Sequence, residues 1–185
     1  YWVREYGIDG WRMDVTRYVD FDFWPAFRSA VKNENADAFL IAEILGDAGR
    51  WLQGDTFDGT MNYTFRQLAL DFFARASADG HTLADGLARM YAGYEPNAIA
   101  SSQNLLGSHD TPRFLHEAGG DPERVRLATV LQMTLPGAPG LYYGDEVGMS
   151  GGDDPGSRGA FPWHEPDRWD RDQLEVVRSL SALRR

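Results

Sequence analysis

Ile8-Asp9-Gly10-Trp11-Arg12-Met13-Asp14 is followed by a stretch of helical spacing from Phe21 to Asn33 and then by Phe39-Leu40-Ile41-Ala42-Glu43. A short apolar segment, a polar link, an amphipathic helix and a second apolar segment make up a βαβ unit. In the helical stretch Phe23, Trp24, Phe27, Ala30 and Val31 recur at three-to-four spacing, and Pro25 falls in the first turn, where a missing N–H is tolerated. The run from Phe39 to Ala42 has no polar face, as befits a strand of a parallel sheet covered on both sides.

The same rhythm continues outward. Phe57 to Met61, Gln103 to Leu106 and Gly140 to Tyr143 are the next expected strands, and Thr64 to Ala76, Thr82 to Tyr91, Pro122 to Leu135 and Asp170 to Leu183 the next helices. Asp121-Pro122-Glu123 has the form of an N-cap, a proline at the first helical position and an acidic first turn, and Pro136-Gly137 stops that helix. The pattern predicts the α/β class. A closed (β/α)8 barrel takes about 250 residues and each βαβ step about 30 or more. Five strands in 185 residues therefore fit a partial (β/α)8 TIM barrel or an open doubly wound sheet. The sequence has neither G-x-G-x-x-G nor G-x-x-x-x-G-K-[ST], which weakens the open sheet.

With 43% hydrophobic and 25% charged residues the chain can build a core, which excludes disorder, collagen and coiled coil. Eighteen Lys and Arg against 28 Asp and Glu give a net charge of −10, so no nucleic acid and no anionic membrane partner is expected. No apolar run approaches the roughly 18 residues of a membrane span. The chain has no cysteine, which removes disulfides and thiolate metal sites and leaves the compartment open. Tyr1-Trp2-Val3-Arg4 is neither an initiator methionine nor a signal sequence, and reads as the start of a segment cut from a longer chain.

The chemistry-bearing residues gather at the expected strand ends, where barrels and open α/β sheets build their sites. Arg12 and Asp14 are two apart on a strand and point to one side, so the guanidinium holds the carboxylate ionised, as a nucleophile requires. The same spacing also serves a structural ion pair. Glu43 ends an apolar strand at the rim of a dry core, where desolvation favours the protonated form and suits a general acid; strands also end in acidic residues for solubility. Asn104-Leu105-Leu106-Gly107-Ser108-His109-Asp110 runs from a strand into groups able to hydrogen-bond a polyol. Carboxylates with an arginine on neighbouring strand ends suit glycoside chemistry through a positively charged transition state.

In this order the residues resemble the alpha-amylase family, glycoside hydrolase family 13. Asp9 to Asp14 is similar to its Gly-x-Arg-x-Asp segment after barrel strand 4, which implies Asp14 as nucleophile and Arg12 as its partner. Glu43 matches the acid/base position after strand 5, and His109-Asp110 the pair after strand 7, with Asp110 stabilising the transition state and His109 binding a hydroxyl. Asp55-Thr56-Phe57-Asp58 with Met61-Asn62-Tyr63, Leu141 to Met149, and Gly151 to Pro155 resemble the neopullulanase, cyclomaltodextrinase and maltogenic amylase branch. Residues 15–18, Val-Thr-Arg-Tyr, depart from that branch's usual Asn and Glu, and Arg17 and Tyr18 would line a leaving-group subsite.

The resemblance implies that residues 1–185 are the C-terminal part of a (β/α)8 glycosidase domain, strands 4 to 8 with their helices, with the N-terminal part of the barrel as partner. It implies a retaining hydrolase acting on α-1,4-glucosidic bonds of maltooligosaccharides, cyclodextrins or related glucans. A transglycosylase and a catalytically incomplete carbohydrate-binding fragment are the alternatives. Trp51 and Tyr63, beside polar loop residues, are expected to stack on sugar rings, and Trp11 and Tyr142 to be core. No cofactor is expected, and Gly151 to Pro155 lacks the register of a calcium loop.

Overall fold

The computed structural model describes residues 1–184. Five short strands, β1 (Gly10–Met13), β2 (Phe39–Ile44), β3 (Gly59–Asn62), β4 (Gln103–Leu105) and β5 (Ala138–Gly140), follow one another in chain order in one sheet. β1 and β2, and β2 and β3, pair in parallel, with Gly10 opposite Phe39 and Ile44 opposite Asn62. Parallel neighbours in chain order need a crossover connection, commonly a helix. The helices are α1 (Trp2–Tyr6), α2 (Phe23–Glu34), α3 (Tyr63–Ala69), α4 (Gly80–Ala92), α5 (Pro96–Ser101), α6 (Phe114–Glu117), α7 (Pro122–Thr134) and α8 (Arg171–Leu183). α3 runs on into one wider π turn over Leu70–Ala74.

Several boundaries differ from those the sequence suggests. The last strand is Ala138–Gly140, and Leu141 to Tyr143 leads out of the sheet. Its apolar side chains carry the stronger strand signal, but the sheet takes the preceding residues because the Ala138 N–H finds the Ser102 carbonyl at 2.8 Å. β3 begins at Gly59, since the Asp58 carboxylate is held off the strand by Arg28 Nη1 (2.8 Å), Lys32 Nζ (2.9 Å) and the Leu40 N–H (2.9 Å). β2 is longer than expected and reaches Ile44, so Glu43 lies within the strand. The short helices α1, α5 and α6 carry too little periodicity to be read from sequence.

The chain divides into two compact units. The first comprises residues 1–64, 88–103 and 136–138. Leu40, Ala42 and Ile44 of β2 are buried, and on α2 Trp24 packs its ring 4.9 Å from that of Phe57. Burial works to raise the Asp58 carboxyl, but the bonds from Lys32, Arg28 and Leu40 outweigh it and hold the group below the usual carboxylate range. Gly10 and Gly59 mark close backbone approaches: a Cβ on Gly10 would collide with the Phe39 carbonyl, and one on Gly59 would lie 2.5 Å from the Ser101 carbonyl oxygen. Neither strand could lie at its present distance from its neighbour with a larger residue there.

The second unit comprises residues 65–87, 104–135 and the described residues from Pro139 onward. Phe65, Leu70, Leu105, Phe114 and Ala128 are buried in it. Asp121 caps α7 by accepting from the Glu123 N–H at 3.0 Å, and Asp170 caps α8 from the Gln173 N–H at 2.9 Å. Arg126 of α7 donates to both oxygens of Asp170 at 2.9 Å, tying the helices together through the cap. Gln132, 1% exposed, spends its amide N–H groups on the carbonyls of Asn104 and Gly140, both at 2.9 Å. A helix side chain thereby closes the open main-chain acceptors of two strands.

Candidate active site

In the first unit the ends of β1 and β2 bring together three of the expected site residues. Arg12 Nη1 pairs with Asp14 Oδ1, and Arg12 Nη2 lies 2.5 Å from Glu43 Oε1. Its Nε points at Met61 Sδ, 3.4 Å away on β3. One guanidinium thus bridges two carboxylates, and its planar fork keeps both contacts in one plane. The Glu43 side chain is 12% exposed and that of Asp14 70%, so one carboxylate is sheltered and the other faces solvent.

The turn after Asp14 builds the rest of the pair's surroundings. Thr16 is fully buried; its hydroxyl donates to the Met13 carbonyl at 2.8 Å and accepts from the Glu43 N–H at 3.2 Å. Val15 adopts φ 45°, ψ 38°, a left-handed conformation that β-branched residues avoid, and its N–H donates to Glu43 Oε2 at 2.9 Å. Arg17 Nη2 donates to the Leu45 carbonyl at 2.9 Å and the Asp47 carbonyl at 3.4 Å, anchoring the turn to the segment after β2. Trp51 lies among cations and an aromatic edge, with Arg17 5.8 Å and Arg50 6.0 Å from its ring centroid and the Phe21 ring at 6.1 Å. Tyr18 is 86% exposed, while Tyr63, at the start of α3, is 7% exposed.

In the second unit His109 and Asp110 sit on the segment after β4. His109 Nε2 is 3.0 Å from Asp110 Oδ2, and the Asp110 N–H donates to Ser108 Oγ at 3.2 Å. Two arginines bracket the segment. Arg66 Nε and Nη2 donate to the carbonyls of Leu106 and Pro112, both at 3.0 Å, and Arg158 donates to the His109 carbonyl at 2.9 Å and to Asp110 Oδ1 at 3.4 Å. Arg158 is itself 3.1 Å from Asp154. Sequence reasoning did not find these arginines, because each lies about forty or more residues from what it holds and neither belongs to a short-range pattern.

Arg113 and Asp145 form a buried pair beside this segment. Arg113 is fully buried, donates from Nη1 to the Tyr143 carbonyl at 2.8 Å and to Asp145 Oδ1 at 2.9 Å, and lies 4.6 and 4.9 Å from the ring centroids of Tyr142 and Tyr143. Burial pushes the Asp145 carboxyl up to about 7 in spite of Arg113. Burial also pushes the Tyr142 phenol up to about 12, aided by Tyr143.

The sheet is parallel where β1, β2 and β3 pair, with Arg12, Asp14 and Glu43 at adjacent strand ends. The model of the alpha-amylase catalytic domain matches residues 1–175. The chain belongs to the alpha-amylase family. It is 44% identical over 185 residues to a cyclomaltodextrinase from Geobacillus thermopakistaniensis, covering 100% of this chain and 31% of that protein. It is likewise 44% identical over 184 residues to neopullulanase 2 of Thermoactinomyces vulgaris, again covering 100% of this chain and 31% of that protein. Among solved structures it superimposes on the ligand-free cyclic alpha-maltosyl-(1→6)-maltose hydrolase of Arthrobacter globiformis with a TM-score of 0.94 and 46% identity, covering 98% of this chain and 41% of that one. The chain thus spans about a third of the length of these curated relatives. The barrel assignment holds: the structural neighbours are TIM-barrel enzymes of the alpha-amylase family.

Proposed function

We propose that this chain carries the catalytic carboxylates of a retaining glycoside hydrolase of α-1,4-glucans, as the C-terminal part, residues 1–185, of a (β/α)8 catalytic domain. The observation that carries the reading is the single guanidinium of Arg12 bridging Asp14 and Glu43. Retaining glycosidases hold nucleophile and acid/base about 5 to 5.5 Å apart, closer than the inverting arrangement that leaves room for a water. In this reading Glu43 protonates the glycosidic oxygen of the leaving sugar and exposed Asp14 attacks the anomeric carbon. Glu43 then takes a proton from the water that releases the glycosyl group. Asp110 and His109 bind ring hydroxyls in the transition state. Tyr18, Arg17 and Trp51 form the sugar-binding surroundings, Tyr63 being buried rather than open to a sugar ring, and maltooligosaccharides and cyclodextrins are the substrate class.

The test uses the full-length protein that contains this chain. Glu43→Gln should lower kcat on maltotriose and cyclodextrin about 10²- to 10⁴-fold, the usual share of a general acid/base. Proton NMR of the first product should show the α-anomer. A first product of β configuration, or a Glu43→Gln protein within tenfold of the parent, overturns the assignment.

A further inference from the structure

The retaining reading leaves open what holds Glu43 so that one carboxyl group can serve as acid and then as base. We infer that the main-chain N–H of Val15 is a positioning group for Glu43, aimed by a strained left-handed turn immediately after the nucleophile. This rests on the reading of Glu43 as acid/base. Arg12 Nη2 occupies Oε1, and the Val15 N–H occupies Oε2 at 2.9 Å, so each oxygen of the sheltered carboxylate has its own donor. The two donors differ in kind. Arg12 divides its guanidinium between Asp14 and Glu43 and holds both through a long side chain, whereas a main-chain N–H has no rotamer to lose and stays where the backbone puts it.

The conformation of Val15 ties strain to that contact. A valine at φ 45°, ψ 38° costs free energy that a glycine or asparagine would not, and such residues persist only where the surroundings over-determine them. Here they do so on both sides. Buried Thr16 locks the following residue to the Met13 carbonyl and the Glu43 N–H, and the Val15 carbonyl accepts from the Tyr18 N–H at 2.9 Å. Val15 is 48% exposed, so burial of the isopropyl group does not account for the residue's backbone. The charged groups around the Glu43 end of β2 are Arg12 and Asp14 at the end of β1 and Arg17 in the turn; Asp58, with Arg28 and Lys32 of α2, meets β2 at Leu40 instead, and β3 brings none.

A donor to the charged form of a carboxyl favours that form, so removing this N–H alone should move the alkaline limb of the kcat/KM profile to higher pH. The probe is α-hydroxyisovaleric acid placed at position 15 of the full-length protein by nonsense suppression, which replaces the N–H by an ester oxygen and keeps the side chain. The limb should rise by about one pH unit, the effect of one hydrogen bond to a charged group. The same hydroxy acid at Val19, whose N–H closes the turn on the Thr16 carbonyl at 3.3 Å, loosens the turn without touching Glu43 and should leave the limb in place. Val15→Asn, which suits the left-handed region and keeps the donor, should raise Tm by about 2 °C or more with the limb unmoved. An ester at 15 that leaves the limb where it was, or a Val19 ester that shifts it equally, overturns the inference. Glu43→Gln separates the two claims: if that protein stays active the acid/base reading fails, and if it is inactive while the Val15 ester is silent only the positioning role fails.

Discussion

Thr16→Val isolates the hydroxyl that joins the ends of β1 and β2. The two side chains are close in volume, so the change removes the donor to the Met13 carbonyl and the acceptor for the Glu43 N–H while filling the same fully buried site. Each hydrogen bond is worth about 0.5 to 1.5 kcal/mol net, and a buried main-chain group left without a partner costs about 1 to 3 kcal/mol. Gains from the more apolar methyl offset part of this, leaving a loss of about 2 to 3 kcal/mol. In a domain of 150 to 250 residues that is a Tm decrease of roughly 4 to 12 °C. Thr16→Ser keeps the hydroxyl and loses only a methyl group, about 1 kcal/mol. Calorimetry and urea denaturation of the two variants in the full-length protein decide the matter. If Thr16→Val is as stable as Thr16→Ser or more so, the hydroxyl is not the link between the two strand ends and the reasoning fails.

Gly10→Ala should be worse than any polar deletion, because the new Cβ meets main-chain atoms of Phe39 and the pair cannot separate without losing the β1–β2 register; a soluble, folded variant with parental circular dichroism and Tm would refute it. Asp145 sets a pH dependence of opposite sign to an ordinary ion-paired carboxylate. Its folded value near 7 lies above the unfolded 3.8, so the folded state holds the extra proton between those values and stability falls as pH rises from about 4 to 7. Urea midpoints at pH 5 and pH 8 should show this decline in the parent and a flatter profile in Asp145→Asn. Arg158→Met removes a half-exposed contact to Asp110, so its effect should be modest, a five- to tenfold fall in kcat/KM and a weaker salt dependence than the parent; unchanged kinetics at low salt would show that Asp110 does not depend on it.

How much of this was legible beforehand follows from the range of the forces involved. The βαβ rhythm, α7 with its Asp121 cap, and α8 rest on periodicity and local capping, which act within a few residues, and these elements stand close to where the sequence puts them. The Arg12–Asp14 pair is also local, two residues apart on one strand. β5 was displaced because the Ser102 carbonyl selects Ala138, a choice that no property of Leu141 to Tyr143 encodes. Arg158 on Asp110, Arg66 on the carbonyls of Leu106 and Pro112, and Arg113 on Asp145 join residues about thirty to fifty positions apart, and an arginine in sequence looks the same whether it closes such a gap or faces water.

The turn after Asp14 shows why those long contacts matter. Val-Thr-Arg-Tyr at residues 15–18 reads from sequence as a departure in a substrate-contacting segment, a matter of specificity alone. In the structure three of its four residues face the neighbouring strand's end. The Val15 N–H reaches the Glu43 carboxylate, the Thr16 hydroxyl reaches the Glu43 N–H, and the Arg17 guanidinium reaches the Leu45 carbonyl. Tyr18, by contrast, is almost fully exposed. A substitution in this turn therefore acts on the placement of Glu43 before it acts on substrate choice. Changes at 15 or 16 should appear first in kcat and in the pH profile, and changes at 18 in KM and in the ratio of transfer to hydrolysis.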